Sequence, residues 1–178
     1  MNIQLMPWNP DDCVNLEELY ANADQTHCLV CLRVPLEKDA TVRYLEGVRR
    51  KEIDGNPFYC YAVMLEDRII GKIELTVQED RFGELDVILR RDCCGKGNGT
   101  QAVRSMIALA AKKQWCRGIT AYTDAENAAI QAVLEKNGFQ KQRRFQADVL
   151  VPSGNTYYLR PCDGIEYVRF LSGRDAFA

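Results

Sequence analysis

The segment Cys94-Gly95-Lys96-Gly97-Asn98-Gly99-Thr100 constrains this chain more than any other. It lies between a β-rich run, Glu84 to Leu89, and a stretch from about Asn98 to Gln114 with helical spacing. Three glycines at alternate positions let a backbone turn tightly and approach a ligand closely. The helix that follows starts with unpaired N–H groups at the positive end of its dipole. Together these features form an anion site suited to a pyrophosphate, with Lys96 as an added cation. The candidate phosphate-binding residues are therefore Gly95, Lys96, Gly97, Asn98, Gly99 and Thr100.

Two other phosphate motifs do not fit. A Walker A loop runs from its last glycine into Lys and then Ser or Thr, whereas Gly99 is followed by Thr100-Gln101. The dinucleotide fingerprint G-x-G-x-x-G, counted from Gly95, meets Thr100 at its third glycine. A glycine turn with no ligand is the plain alternative, and the loop alone does not decide against it.

The remaining elements follow from periodicity and punctuation. Ile3 to Leu5 starts a strand, and Asn9-Pro10-Asp11-Asp12 gives a turn and helix cap before Val14, Leu16, Leu19 and Tyr20 at helical spacing. Pro35 opens a second helical stretch, which Asp54-Gly55-Asn56-Pro57 breaks. Phe58 to Glu66 and Arg68 to Val77 form a hairpin, and Glu84 to Leu89 is a third strand. After the glycine loop and its helix come a strand, Gly118 to Thr123, and a helix, Ala125 to Asn137, stopped by Gly138. Two late strands, Phe139 to Val151 and Thr156 to Phe170, flank a Pro-Ser-Gly-Asn turn. The order predicts a mixed α/β (α+β) domain spanning residues 1–178, with helices packed on a central sheet.

With 178 residues, 47% hydrophobic and 27% charged, the chain suits one globular domain. A net charge of −2 lacks the basic footprint of a nucleic-acid binder. The N-terminus reads as neither signal peptide nor membrane span, so a cytoplasmic protein with no membrane partner is the expectation. Eight cysteines at irregular spacing then read as reduced thiols. His27-Cys28-Leu29-Val30-Cys31 is the one metal-like cluster, but structural zinc needs a second ligand pair, and the adjacent Cys93-Cys94 is poor chelating geometry. No metal is expected.

A second motif complements the first. Asn127-Ala128-Ala129-Ile130-Gln131-Ala132-Val133-Leu134-Glu135-Lys136-Asn137-Gly138-Phe139 is a helix running into a strand. Read with the glycine loop about thirty residues upstream and with Ile69-Ile70-Gly71-Lys72-Ile73, it resembles the GNAT superfamily of N-acetyltransferases, nearest to the Rim-type branch. The resemblance covers residues 58 to 140 well and the rest by topology. It implies a GNAT fold: a mostly antiparallel central sheet with helices on both faces. It also implies that acetyl-CoA is the co-substrate and that its acetyl group passes directly to a primary amine in a ternary complex. Acceptors in that branch include protein N-termini, amino acids, polyamines and aminoglycosides. The expected assembly is a monomer or homodimer.

The same resemblance assigns candidate residues. The pantetheine arm would pair with the backbone of Ile88, Leu89 and Arg90, and Asn127 and Lys136 would line the coenzyme from the second helix. Glu84 and Asp86 are candidate bases, set against a plain reading as a solvated strand face. Tyr122 is a candidate donor to the departing thiolate, set against a reading as a packed aromatic. Two departures stand out. Cys94 replaces the usual Gln or Arg, and Leu134 replaces a Tyr that often acts as general acid. Leucine has no transferable proton, which keeps open a non-catalytic acyl-CoA-binding sensor or scaffold as the alternative. A regulatory domain binding nucleotide through the glycine loop is a third reading. The acceptor site should come from residues 21 to 55 and from the last hairpin.

Overall fold

A computed structural model describes residues 3–22, 38–55, 57–153, 156–173 and 175. In chain order the elements are β1 (Ile3–Pro7), α1 (Cys13–Asn22), α2 (Lys38–Ile53), β2 (Phe58–Leu65), β3 (Arg68–Val77) and β4 (Phe82–Leu89). Then follow α3 (Asn98–Lys113), β5 (Gly118–Asp124), α4 (Ala128–Lys136), β6 (Gln140–Ser153) and β7 (Thr156–Phe170). His27, Cys28, Cys31 and Pro35 lie outside the described residues.

The seven strands form one sheet in the order β1-β2-β3-β4-β5-β7-β6. Every neighbouring pair is antiparallel except β4 and β5. The last strand turns back and inserts between β5 and β6, so β7 rather than β6 pairs with β5. The helices divide between the faces. Leu16 and Leu19 of α1 and Leu45 and Val48 of α2 pack with Ala62 and Ile88 on one face. Met106 and Ile107 of α3 and Leu134 of α4 pack with Ile73, Leu85, Ile119 and Tyr167 on the other.

The sequence dictates this sorting by alternation. Ile73 and Leu75 of β3 join the α3 side. Lys72 and Glu74, one step out of phase, therefore face α1 and α2. There Lys72 is 0% exposed and pairs with Glu74 at 2.9 Å. Glu74 also accepts hydrogen bonds from the Tyr44 hydroxyl of α2 and, at 3.4 Å, from the Cys60 thiol. Burial and the Glu74 charge push the Cys60 thiol upward and keep it protonated. A carboxylate and aromatic faces compensate a cation buried this deep; its Nζ lies 5.5 Å from the Tyr20 ring centroid and 5.6 Å from that of Tyr44.

Candidate active site

The one parallel pairing of the sheet is short. β4 and β5 meet at Phe82↔Gly118, Gly83↔Ile119 and Glu84↔Thr120, and no further. β4 nonetheless continues to Leu89, still paired on its other edge with β3 as far as Gly71. β5 continues to Asp124, held on its other edge by β7. The two strands therefore part, and a wedge-shaped opening separates residues 85–89 from residues 121–124, where the parallel ladder does not continue. An extended chain can add to such edges as a strand does.

The opening leads to the glycine loop. After Arg90 a single 3₁₀ turn, Arg91–Cys93, carries the chain to Cys94 and into α3. Gly95 and Gly97 have φ of 73° and 83°, the left-handed region that side chains disfavour. A Cβ at either would touch nothing within 4 Å, so this backbone lies open on the outside. Gly97 is the N-cap of α3 and supplies no side-chain cap, so the first helical N–H groups remain for another acceptor. Donors at a helix start, glycines without side chains and an open approach fit a pyrophosphate.

Two loop side chains serve the loop itself. Asn98 is 1% exposed, and its amide donates to the Cys93 carbonyl at 3.0 Å. Exposed Lys96 donates from Nζ to the Asp92 carbonyl at 2.8 Å. Arg90 bridges Asp92 at 3.3 Å and Glu18 of α1 at 3.4 Å, tying the loop to α1. Of the residues on α4, Asn127 accepts from the Ile130 N–H at 3.2 Å as the helix cap, and Lys136 is exposed in the last turn. Thr100 gives its carbonyl to Asn137, which joins the start of α3 to the end of α4. Cys93 is buried and Cys94 exposed; burial and the neighbouring Asp92 raise the Cys93 thiol, which makes it a poor nucleophile.

The face turned toward α1 and α2 is acidic around the opening. Glu84 and Asp86 share it with Ile88, and Tyr122 shares it because Ile119 and Ala121 point the other way. The structure thus brings Glu84, Asp86 and Tyr122 to one face beside the wedge. Partial burial, then the charge of Asp86, raise the Glu84 carboxyl above its ordinary value. Burial, then Glu166, then Glu84 raise the Tyr122 phenol. Glu166 of β7 stands directly opposite Tyr122 and accepts its hydroxyl at 3.3 Å. No sequence motif marks Glu166, because its place depends on β7 inserting next to β5. At the far end of β5 the nearly buried Asp124 holds Arg160 at 3.0 Å beside a polar cavity of about 300 Å³, also lined by Glu126, Gln146 and Asp163.

The Acetyltransferase (GNAT) domain family matches residues 2–140. No curated protein matches the chain in sequence. Among solved structures it is similar to RimL, the ribosomal L7/L12 alpha-N-protein acetyltransferase, in complex with coenzyme A. That likeness has 16% identity over 99% of this chain and 96% of the other, with a TM-score of 0.78. It is similar to Mycobacterium smegmatis RimJ in complex with CoA-disulfide, at 14% identity over 94% and 81% of the two chains and a TM-score of 0.76. It also resembles the microcin C7 self-immunity acetyltransferase MccE in complex with acetyl-CoA and AMP, at 14% identity over 95% and 92% and a TM-score of 0.74. At these identities the likeness is one of fold. The family match spans most of the chain, and the parted strands and glycine-capped helix lie within it: the protein belongs to the GNAT acetyltransferase family, with the fold of its Rim-type members.

Proposed function

We propose that the chain, acting as one domain over residues 1–178, transfers the acetyl group of acetyl-CoA to a primary amine held on the acidic face. The observation that carries this reading is the continuity of the wedge between β4 and β5 with the open start of α3. Backbone N–H groups from Gly97 to Thr100 would take the pyrophosphate, with Lys96 adding charge. The edges of Ile88, Leu89 and Arg90 would take the pantetheine arm as an added strand, with Asn127 and Lys136 on its far side. The coenzyme supplies the activated acetyl group, and the protein supplies position and proton handling.

The amine must lose a proton before it attacks. Glu84 is the base we favour, because it stands at the last rung before the strands part and its raised carboxyl takes up a proton more readily than an ordinary carboxylate. An arriving ammonium and the carboxylates of this face attract one another before the proton is lost, so a cationic acceptor suits the site. The remainder of the acceptor would lie toward the cavity between the end of β5 and the middle of the β6–β7 hairpin. A thiol of pKa about 8.5 leaves tolerably without strong acid help, so Leu134 is no bar to turnover.

The test is a panel of amines scored for thiol release from acetyl-CoA, with acetyl-CoA and ATP binding measured by calorimetry. Coenzyme binding with amine-dependent release is the expected result. Binding of ATP in place of the coenzyme overturns the reading, and coenzyme binding without turnover of any amine favours the sensor instead.

A further inference from the structure

Tyr122 does not stand alone at the opening. Its hydroxyl donates to Glu166 Oε1 at 3.3 Å, and Arg143 of β6 makes an ion pair with Glu166 Oε2. The ring of Phe145 meets the Tyr122 ring edge-on, at 5.9 Å between centroids and 86° between planes. That edge-on seat exists because Gly164 lies beneath Phe145. A Cβ at Gly164 would fall 2.5 Å from Phe145 Cζ.

The ion pair depends on a β-bulge. β6 pairs Lys141 with Tyr167, then Arg143 with Glu166, and passes over Gln142. In unbroken register Gln142 would stand opposite Glu166. The extra residue replaces a neutral amide with a guanidinium and aims it at the Tyr122 face. Bulges commonly re-aim a side chain in this way beside functional sites. Among the described residues, the groups facing the Tyr122 hydroxyl are Glu84 from β4, Thr120 on its own strand, Glu166 from β7 and Arg143 from β6.

A phenol has one proton to give. With that proton directed to Glu166 and Thr120 hydrogen-bonded to the same oxygen, one lone pair is left for a donor arriving at the opening. We propose that Glu166, held by Arg143 across the β6 bulge, is a positioning residue that sets Tyr122 as a hydrogen-bond acceptor for the incoming ammonium group. Tyr122 then binds and aims the amine beside Glu84. Protonation of the departing thiolate is left to solvent. The inference rests on the acetyltransferase reading for its consequence in turnover, but the Glu166–Tyr122 linkage can be tested without any substrate.

Two measurements test it. The first is the ultraviolet phenolate titration of Tyr122, taken as the difference between each protein and its Tyr122→Phe counterpart. Glu166→Gln removes a negative neighbour, so Tyr122 should ionise at lower pH. Arg143→Gln removes a positive neighbour, so ionisation should move to higher pH. Glu166→Asp should restore most of the normal behaviour. A Tyr122 titration indifferent to both Glu166→Gln and Arg143→Gln overturns the linkage, whether or not the protein turns over. Should Glu166→Gln fail to fold, the upward shift expected in Arg143→Gln still decides it.

The second measurement is kinetic, with the best amine from the panel. Tyr122→Phe should raise the KM for that amine by about tenfold and change kcat by less than about threefold, the loss expected for one hydrogen bond to a charged group. Glu166→Gln should do the same, and the double variant should be no worse than either single one. A kcat fall of about a hundredfold or more in Tyr122→Phe at unchanged amine KM makes Tyr122 a general acid and overturns the assigned role. Calorimetric affinity for acetyl-CoA should stay constant throughout. If wild type binds no coenzyme, the acetyltransferase reading fails while the titration still judges the linkage.

Discussion

Glu84 of β4 and Thr120 of β5 face each other at the last rung of the parallel ladder, and past them the two strands part. The rung fixes the depth of the wedge and places a carboxylate with a raised pKa at its apex.

Glu84→Gln separates catalysis from stability. Because the folded pKa of Glu84 lies above its unfolded value, the folded chain keeps this proton in a window where the unfolded chain has lost it. The stability it contributes is complete below the unfolded carboxylate range and is lost as pH rises through the folded value. At neutral pH the charged form is therefore a burden, and Glu84→Gln should melt higher than wild type. The gap should close as the pH falls toward the carboxylate range. The same variant should lose about 10²–10⁴-fold in kcat/KM if Glu84 is the base. Thermal melts over a pH series, run beside rate assays, check both.

Gly97→Asp puts a negative side chain at the open N-cap of α3. Asp tolerates the left-handed region better than most residues, and the site has room for its Cβ, so the fold should persist. Acetyl-CoA affinity should fall by at least about tenfold, since the dipole end and its N–H groups would be answered internally. Calorimetry with a circular-dichroism control measures this. Unchanged affinity in a folded variant removes the loop from the coenzyme site.

Two changes at Asn127 divide its cap from its proposed contact. Its Oδ1 caps α4 at Ile130. Asn127→Asp keeps that acceptor and removes the amide donors, so the melting temperature should hold while the KM for acetyl-CoA rises. Asn127→Ala loses the cap as well and should cost about 1 kcal/mol of stability. Equal KM values for wild type and Asn127→Asp reduce Asn127 to a cap.

Leu134→Tyr introduces the tyrosine that the family resemblance implies at this place, but the side chain it replaces is 1% exposed and packed in the core between α4 and the sheet. The larger ring and its hydroxyl should destabilise the fold by about 1–3 kcal/mol. No gain in kcat is expected. Chemical denaturation gives the first quantity and steady-state rates the second.

Lys72→Met strips the buried ion pair of its cation. Glu74 keeps hydrogen bonds from Tyr44 and Cys60 but loses its counter-charge, and the cost should be about 3 kcal/mol. Adding Glu74→Leu should recover much of that loss. Urea unfolding of the two variants checks the sign of the recovery.

Much of this protein was legible in its sequence, and the legible parts are local. β-rich runs placed β2, β3 and β4, helical spacing placed α1 and α4, and the glycine segment placed the start of α3, because strand and helix preferences and turn punctuation are local properties of the chain. Gly95 and Gly97 marked the turn into α3 because a positive φ is a local demand. Even the shared face of Glu84 and Asp86 followed from their spacing of two. What only the tertiary structure decided is which elements become neighbours. The insertion of β7 between β5 and β6 sets Glu166 against Tyr122, and the bulge at Lys141/Arg143 brings Arg143 to Glu166. The burial of Lys72 likewise awaited the docking of α1 and α2 onto the sheet. Residues forty-four positions apart meet through strand order, and strand order comes from how whole faces pack, which no short stretch of chain contains.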